Sequence, residues 1–207
     1  MDKMTVARAL VELKTLTIRI DKLIQELEPV SISKGGKLDS NIRNVDEYKA
    51  SVLSSYQKLM DLVKRKRKIK AAIVYSNALT KVKIGSVEMT VAEAIERKVS
   101  INSDKGIKKH LSMKLVEASK KIISHNEQMQ KQLLQLLNAT YSKSETEVSK
   151  DDHDKIAIPF KENNEAILID PLDIKKKISE LDEEIDMFES EVDIALTESN
   201  ATTIIEL

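Results

Sequence analysis

Tyr75, Ser76, Asn77, Lys81, Lys83 and Arg97 bring together one aromatic ring, neutral hydrogen-bonding groups and three cations in a short stretch of chain. That mixture suits a small anionic molecule: the ring stacks on a flat group, the amide and hydroxyl read polar edges, and ammonium and guanidinium groups hold phosphate. Tyr75, Asn77, Lys81, Lys83 and Arg97 are therefore the candidate ligand-binding residues; the competing reading is a surface hairpin with ordinary solvated lysines. Other candidates are weaker. Lys34-Gly35-Gly36-Lys37 follows no strand and opens no helix, so it reads as a turn before it reads as a phosphate loop. Asp151-Asp152-His153-Asp154 holds potential ligands for a divalent ion, but adjacent side chains rarely converge on one metal, and a solvated helix start is the simpler reading. His125 reads as a helix-seam residue and His110 as a surface one. Walker, dinucleotide-binding, nucleophile-elbow and HExxH signatures are all missing, so an enzyme is not expected, and no cofactor or metal is called for.

The elements that must position these residues are clearer than the chemistry. Thr80 to Val91 alternates apolar and polar residues around Gly85-Ser86, predicting a hairpin with a type II′ turn in which Val82 opposes Met89, Ile84 opposes Val87 and Lys83 opposes Glu88. A helix from Val45 to about Ala78 leads into it, with Val52, Tyr56, Leu59 and Val63 as its seam. Thr90 and Glu93 form a capping box that opens the next helix. A break near Asn102-Ser103-Asp104 is predicted there, followed by a long helix to about Thr140 with Leu111, Leu115, Ala118, Ile122, His125, Met129, Gln132 and Leu136 in register. The first helix runs from Thr5 to about Glu28 on a seam of Val6, Leu10, Leu13, Thr17, Ile20, Ile24 and Leu27; Val11, Leu16, Ile18 and Leu23 widen it, so that it meets more than one neighbour. Tyr141 to Asp154 reads as a linker, and Ile156 to Ile169 as a short helix with an extended Ala166–Ile169. Asp170 caps the last helix with Pro171 at its first position, and Ile174, Ile178, Leu181, Ile185, Phe188, Val192 and Ala195 form its seam. Thr202 to Glu206 is a closing strand, added to the hairpin's edge or to another subunit.

The fold class that follows is mainly α: long antiparallel coiled-coil-like helices in a bundle, with one β-hairpin and a C-terminal strand. Residues 1–140 form the bundle with the hairpin at 80–91, residues 141–170 a linker with short elements, and residues 171–207 an acidic helix and strand packed on the bundle. With 33% charged and only 3% aromatic residues, the composition is that of bundled helices. Cysteine is absent, which excludes disulfides and thiolate chemistry and suits a reducing compartment. No apolar run is long enough to span a membrane and no signal sequence is read, so a cytoplasmic protein without a membrane partner is expected. The net charge of zero divides into −12 for residues 151–207 and +12 for residues 1–150. The acidic helix is thus expected against a basic neighbour within the molecule, and the run Lys64 to Lys70 is one such neighbour. As a polynucleotide surface that run is disfavoured, since it lacks interleaved aromatics for base stacking.

Thr5–Leu10, Lys68–Ile73 continuing through Ser76–Thr80, Met89–Arg97 and Glu198–Thr203 resemble a family of small helical proteins of bacteriophages infecting Gram-positive bacteria. The central helix, hairpin and capped helix also resemble bacterial proteins labelled septicolysin. The resemblance covers most of the chain and brings no established active site with it. Without an export signal or a membrane-inserting segment, cytolytic activity is not expected. Phages carry small proteins that bind host immune nucleotides and withhold them from effectors, and such binders need pockets rather than catalytic groups. The resemblance therefore implies a homo-oligomer in the host cytoplasm that sequesters a small nucleotide-derived signal. The alternatives are a coiled-coil scaffold or virion component, and third an inhibitor that binds a host protein or DNA.

Overall fold

The computed structural model describes residues 2–34, 37–38, 44–141 and 150–207. Among them are β1 (Lys3–Thr5), α1 (Val6–Glu26), β2 (Ser33–Lys34), β3 (Lys37–Leu38), α2 (Val45–Leu79), β4 (Lys81–Ile84), β5 (Val87–Thr90), α3 (Val91–Tyr141), α4 (Lys150–Asn164), α5 (Ile174–Thr202) and β6 (Ile204–Glu206). The protein is mainly α, a helical-bundle fold with small antiparallel two-stranded sheets pairing β1 with β6, β2 with β3 and β4 with β5. Two compact units divide it: residues 1–99 with 187–207, and residues 100–186. Their boundaries cut α3 and α5, and so differ from the three-part division read along the sequence. The turn glycines Gly35-Gly36 and most of the predicted linker, 142–149, lie outside the described residues.

In the first unit α1 and α2 lie antiparallel. Val6, Ala9 and Leu16 of α1 meet Ile69 and Ile73 of α2 in one buried cluster, and at the other end the Tyr48 hydroxyl donates to the Glu28 carbonyl at 2.7 Å. The α1 seam differs from the predicted one. Val6, Ala9, Leu13, Leu16, Ile20, Leu23 and Leu27 turn inward, whereas Leu10 and Ile24 are 44% and 55% exposed. Two 4-3 registers share Val6, Leu13, Ile20 and Leu27; the one that packs is the one that places the small Ala9 at the closest approach. Along α2 the seam likewise runs through Tyr48, Val52, Ser55, Leu59, Leu62, Lys66, Ile69 and Ile73, leaving Tyr56 exposed. It passes straight through the basic run, where Ile69 is completely buried. That single side chain contributes about 1.5–3 kcal/mol of burial and fixes which face of the run is inside.

The hairpin has the predicted register, Val82 opposite Met89, Lys83 opposite Glu88 and Ile84 opposite Val87. Gly85 takes φ +59, the positive φ that the first central residue of a type II′ turn requires, and Ser86 does not share it. The closing strand is corrected in its partner. β6 pairs with β1 of the same chain, Met4 opposite Ile205, and not with the hairpin's edge. Three residues before α1 are too few to carry a readable strand pattern.

β1–β6 and β4–β5 turn out to be the same junction built twice. Ser76-Asn77-Ala78-Leu79-Thr80 closes α2, and Ser199-Asn200-Ala201-Thr202-Thr203 closes α5. In each the threonine N–H donates to the serine carbonyl at 2.8 Å. The opposing strands end in Met4-Thr5-Val6-Ala7-Arg8-Ala9 and Met89-Thr90-Val91-Ala92-Glu93-Ala94. Val6 N–H donates to the Thr203 carbonyl and Val91 N–H to the Thr80 carbonyl, both at 2.9 Å. Thr5 and Thr90 both cap, accepting from Arg8 N–H at 3.3 Å and Glu93 N–H at 3.1 Å. Burial repeats as well: Val6 and Val91 are each 2% exposed, and Ala9 and Ala94 are sealed. So does a tertiary contact, because Arg65 on Glu12 has as its counterpart Phe188 under Arg97. The unit is a quasi-twofold arrangement of two helix–strand–strand–helix motifs.

In the second unit Leu133 and Leu137 of α3 pack on Ala157 of α4, with Ile156 and Phe160 alongside. α3 is unbroken at 102–104, a correction: no glycine or proline interrupts those residues, and the buried Ile101 outweighs the weak capping preference of Ser103 and Asp104. Its late seam is displaced by one residue, with Asn126, Leu133 and Leu137 inward where His125, Gln132 and Leu136 were expected. Asn126 both donates to and accepts from the Ala166 backbone, and His125 Nε2 lies 2.8 Å from the Asn164 carbonyl. These contacts hold the segment after α4, so 166–169 needs no sheet. α4 begins at Lys150, inside the expected linker. α5 begins at Ile174: Pro171-Leu172 forms a turn, Asp173 takes φ +53, and the Asp170 carboxylate accepts from Leu172 and Ile174 N–H. The predicted α5 seam is the one that packs, with Ile185, Phe188 and Val192 buried.

Candidate functional site

A groove of about 600 Å³ lies between β4 and the end of α5, within the first unit. Thr80, Lys81, Val82 and Lys83 form one wall, and Glu198, Ser199, Thr202 and Thr203 are prominent on the other. Alternation along β4 sends Val82 into the core and Lys81 and Lys83 outward. The helical period brings Ala195, Glu198, Ser199 and Thr202 to a common face of α5. The Ser-Asn-Ala-x-Thr junctions at both helix ends are what bring the two walls together.

The two lysines differ. Lys81 Nζ donates to Glu88 at 2.8 Å, and that hydrogen bond, reinforced by its charge, raises the Lys81 pKa and lowers that of Glu88. Glu88 is thus engaged diagonally, although Lys83 stands directly opposite it. Among the described residues Lys83 makes no ion pair. Facing it, the Glu198 carboxylate is exposed, and the last carbonyls of α5 add the negative end of a helix dipole. Thr202 commits its hydroxyl hydrogen to the Glu198 carbonyl at 2.8 Å, leaving its oxygen as an acceptor. Ser199 and Thr203 face each other with hydroxyls 3.4 Å apart. The groove is bipolar: ammonium groups on the strand, acceptors on the helix.

Of the five residues singled out in the sequence, the structure brings Lys81 and Lys83 together here. Tyr75 and Asn77 do not line this groove. They sit at the end of α2, in the positions that Glu198 and Asn200 hold at the end of α5, and Tyr75 is 71% exposed. The Arg97 guanidinium lies over the Phe188 ring, 5.3 Å from its centroid, a packing contact between α3 and α5. Glu198, Ser199, Thr202 and Thr203 were missed as site residues, although the repeated Ser-Asn-Ala-x-Thr was a signal that marks them. In the basic run Arg65 reaches Glu12 at 2.9 Å and Asp2 at 3.0 Å. Lys64, Lys66, Arg67, Lys68 and Lys70 form no ion pair among the described residues. The acidic helix finds its basic neighbour elsewhere, in Lys98 with Asp193 and Lys108 with Asp182, because α5 runs antiparallel to α3. No three His, Asp or Glu side chains converge among the described residues, and none of their helices is long and apolar enough to cross a membrane.

No protein-family model and no curated protein matches this chain. A crystal structure of a functionally unknown conserved protein from Corynebacterium diphtheriae is similar over 99% of this chain and 100% of that one, with 18% identity and a TM-score of 0.43. That likeness is too loose to carry a functional argument.

Proposed function

We propose that this is a non-enzymatic, oligomeric phage-type protein that holds a nucleotide-derived signalling molecule in the β4–α5 groove and so withholds it from its effector. The observation that carries the reading is the bipolar lining, with the unpaired Lys83 on one wall and the Glu198 carboxylate on the other. A nucleotide offers the matching pair of groups. Its phosphate meets ammonium, and its ribose hydroxyls donate to a carboxylate, as in dinucleotide-binding folds. The small side chains of Ala195 and Ala201 leave room for a flat base, and the volume lies within the range of ligand pockets.

Native mass spectrometry of the purified protein, with released small molecules read separately, tests the reading directly. Isothermal titration with ADP-ribose, which carries a pyrophosphate and free ribose diols, and with a 3′,3′-cyclic dinucleotide, which lacks a vicinal diol, tests the roles of the two walls. Lys83→Ala should weaken binding of either probe and Glu198→Gln that of ADP-ribose alone, each by about tenfold, the loss of one charge-assisted hydrogen bond. An empty protein that binds neither probe would shift the assignment to the coiled-coil scaffold. The exposed apolar residues along α1 favour that second reading.

A further inference from the structure

We infer that α1 is a self-recognition helix: a second copy of this chain docks antiparallel on its outward face, around a twofold axis between residues 17 and 18. The inference deepens the oligomeric part of the reading above and rests on it only for its purpose. With Val6, Ala9, Leu16 and Ile20 turned to the core, α1 still carries Leu10, Val11, Ile18 and Ile24 on an adjoining face at 44%, 68%, 63% and 55% exposure. Such a stripe on an otherwise polar helix marks a contact surface. Its occupant is specified by charge. Lys14 and Asp21 lie in the middle of the stripe, both are exposed, and neither makes an ion pair among the described residues. Seven residues apart, they point within about 20° of one another, so one line along the helix carries a cation and, two turns on, an anion.

A twofold axis between residues 17 and 18 sets Lys14 against the partner's Asp21, and Asp21 against the partner's Lys14. The same operation sets Leu10 level with the methylenes of the partner's Gln25, Val11 with the partner's Ile24, and Ile18 with the partner's Thr17, one residue from the partner's Ile18. The charged pair is answered on both sides of the axis and the apolar residues are covered across it, which is what an isologous interface demands. A parallel pairing would instead set Lys14 on Lys14. The groove between β4 and α5 belongs wholly to one chain, so dimerisation leaves it open.

Sedimentation velocity of the full chain at tens of micromolar, on wild type, Lys14→Glu, Asp21→Lys and the double exchange, decides the matter. Circular dichroism confirms equal helix content in the four proteins. We expect a wild-type dimer, at least about tenfold weaker self-association in each single variant because each change acts at both symmetric contacts, and recovery in the double exchange. A wild-type monomer, a single variant that dimerises as well as wild type, or a double exchange that fails to recover would each overturn the interface. ADP-ribose titration of the monomeric variants separates the two claims: unchanged binding shows that a failed dimer leaves the groove intact, and lost binding in Lys83→Ala with the dimer preserved shows the reverse.

Discussion

Replacing Gly85 by alanine should destabilise the protein by about 2–5 kcal/mol, in two separable parts. The first comes from the backbone. At φ +59 an L-residue crowds its own carbonyl, at about 1–2 kcal/mol. The second comes from the neighbour above, since a Cβ on Gly85 would overlap Met187 Sδ of α5 and come within 2.8 Å of its Cγ. Such overpacking costs about 1–3 kcal/mol. Gly85 also donates its N–H to Glu191 Oε2 at 2.6 Å, so turn and helix are clamped and the overlap has to be relieved by rotating the Met187 side chain. Urea unfolding followed by far-ultraviolet circular dichroism reads the total. Met187→Ala measured alone and in the Gly85→Ala background completes a double-mutant cycle, and the second part should vanish in the double variant while the first remains. A Gly85→Ala cost below about 1 kcal/mol would refute the turn assignment, and a cost that Met187→Ala leaves unchanged would refute the α5 contact above it.

Ile69→Ala should cost about 2–5 kcal/mol by emptying a completely buried site, whereas Val11→Ala should change monomer stability by less than about 0.5 kcal/mol; the same urea experiment compares them. Thr5→Ala and Thr90→Ala should each lose about 1 kcal/mol, and a large inequality would argue against equivalent junctions. The Glu93 carboxyl is held below its ordinary pKa, first by the Thr90 N–H at 2.6 Å and then by the Thr90 hydroxyl. A depressed carboxylate stabilises the fold above its unfolded pKa, and that contribution is lost as pH falls through the lower folded value. Glu93→Gln should therefore flatten the acid limb of a stability–pH curve, and an unchanged limb would exclude the capping box as its source. Lys81, raised by Glu88, works at the other end: its contribution is complete below the unfolded lysine pKa and fades as pH rises through the raised one.

The hairpin was legible because two independent signals, the Gly85-Ser86 turn and the alternation around it, admit one register. The α5 seam was legible for a similar reason, since its flanking residues are acidic and no second apolar line competes. α1 was not, because Leu10 and Ile24 are as apolar as Leu16 and Leu23, and only the partner helix chooses between two interleaved heptad lines. α3 was misread at Ser103-Asp104 because capping residues are also tolerated within a helix once a neighbour such as Ile101 is buried. Half of the groove was visible, as Lys81 and Lys83. The other half, Glu198 to Thr203, lies more than a hundred residues away, and packing of α5 on the hairpin, with Gly85 bonded to Glu191, brings it alongside.

That pairing also governs the order in which the molecule can assemble. Met4 and Ile205 are joined across a loop that holds nearly the whole chain. Loop length itself adds little to the equilibrium cost, about 0.6 kcal/mol per doubling, but contacts so distant in sequence come late in folding. On a ribosome α1 and α2 can meet early, while Val6 and Ile69 wait for Ile205 to cover them. The groove between β4 and α5, whose second wall includes Glu198 to Thr203, is completed only at the same stage. On the proposed function, capture therefore waits for the same step that covers Val6 and Ile69.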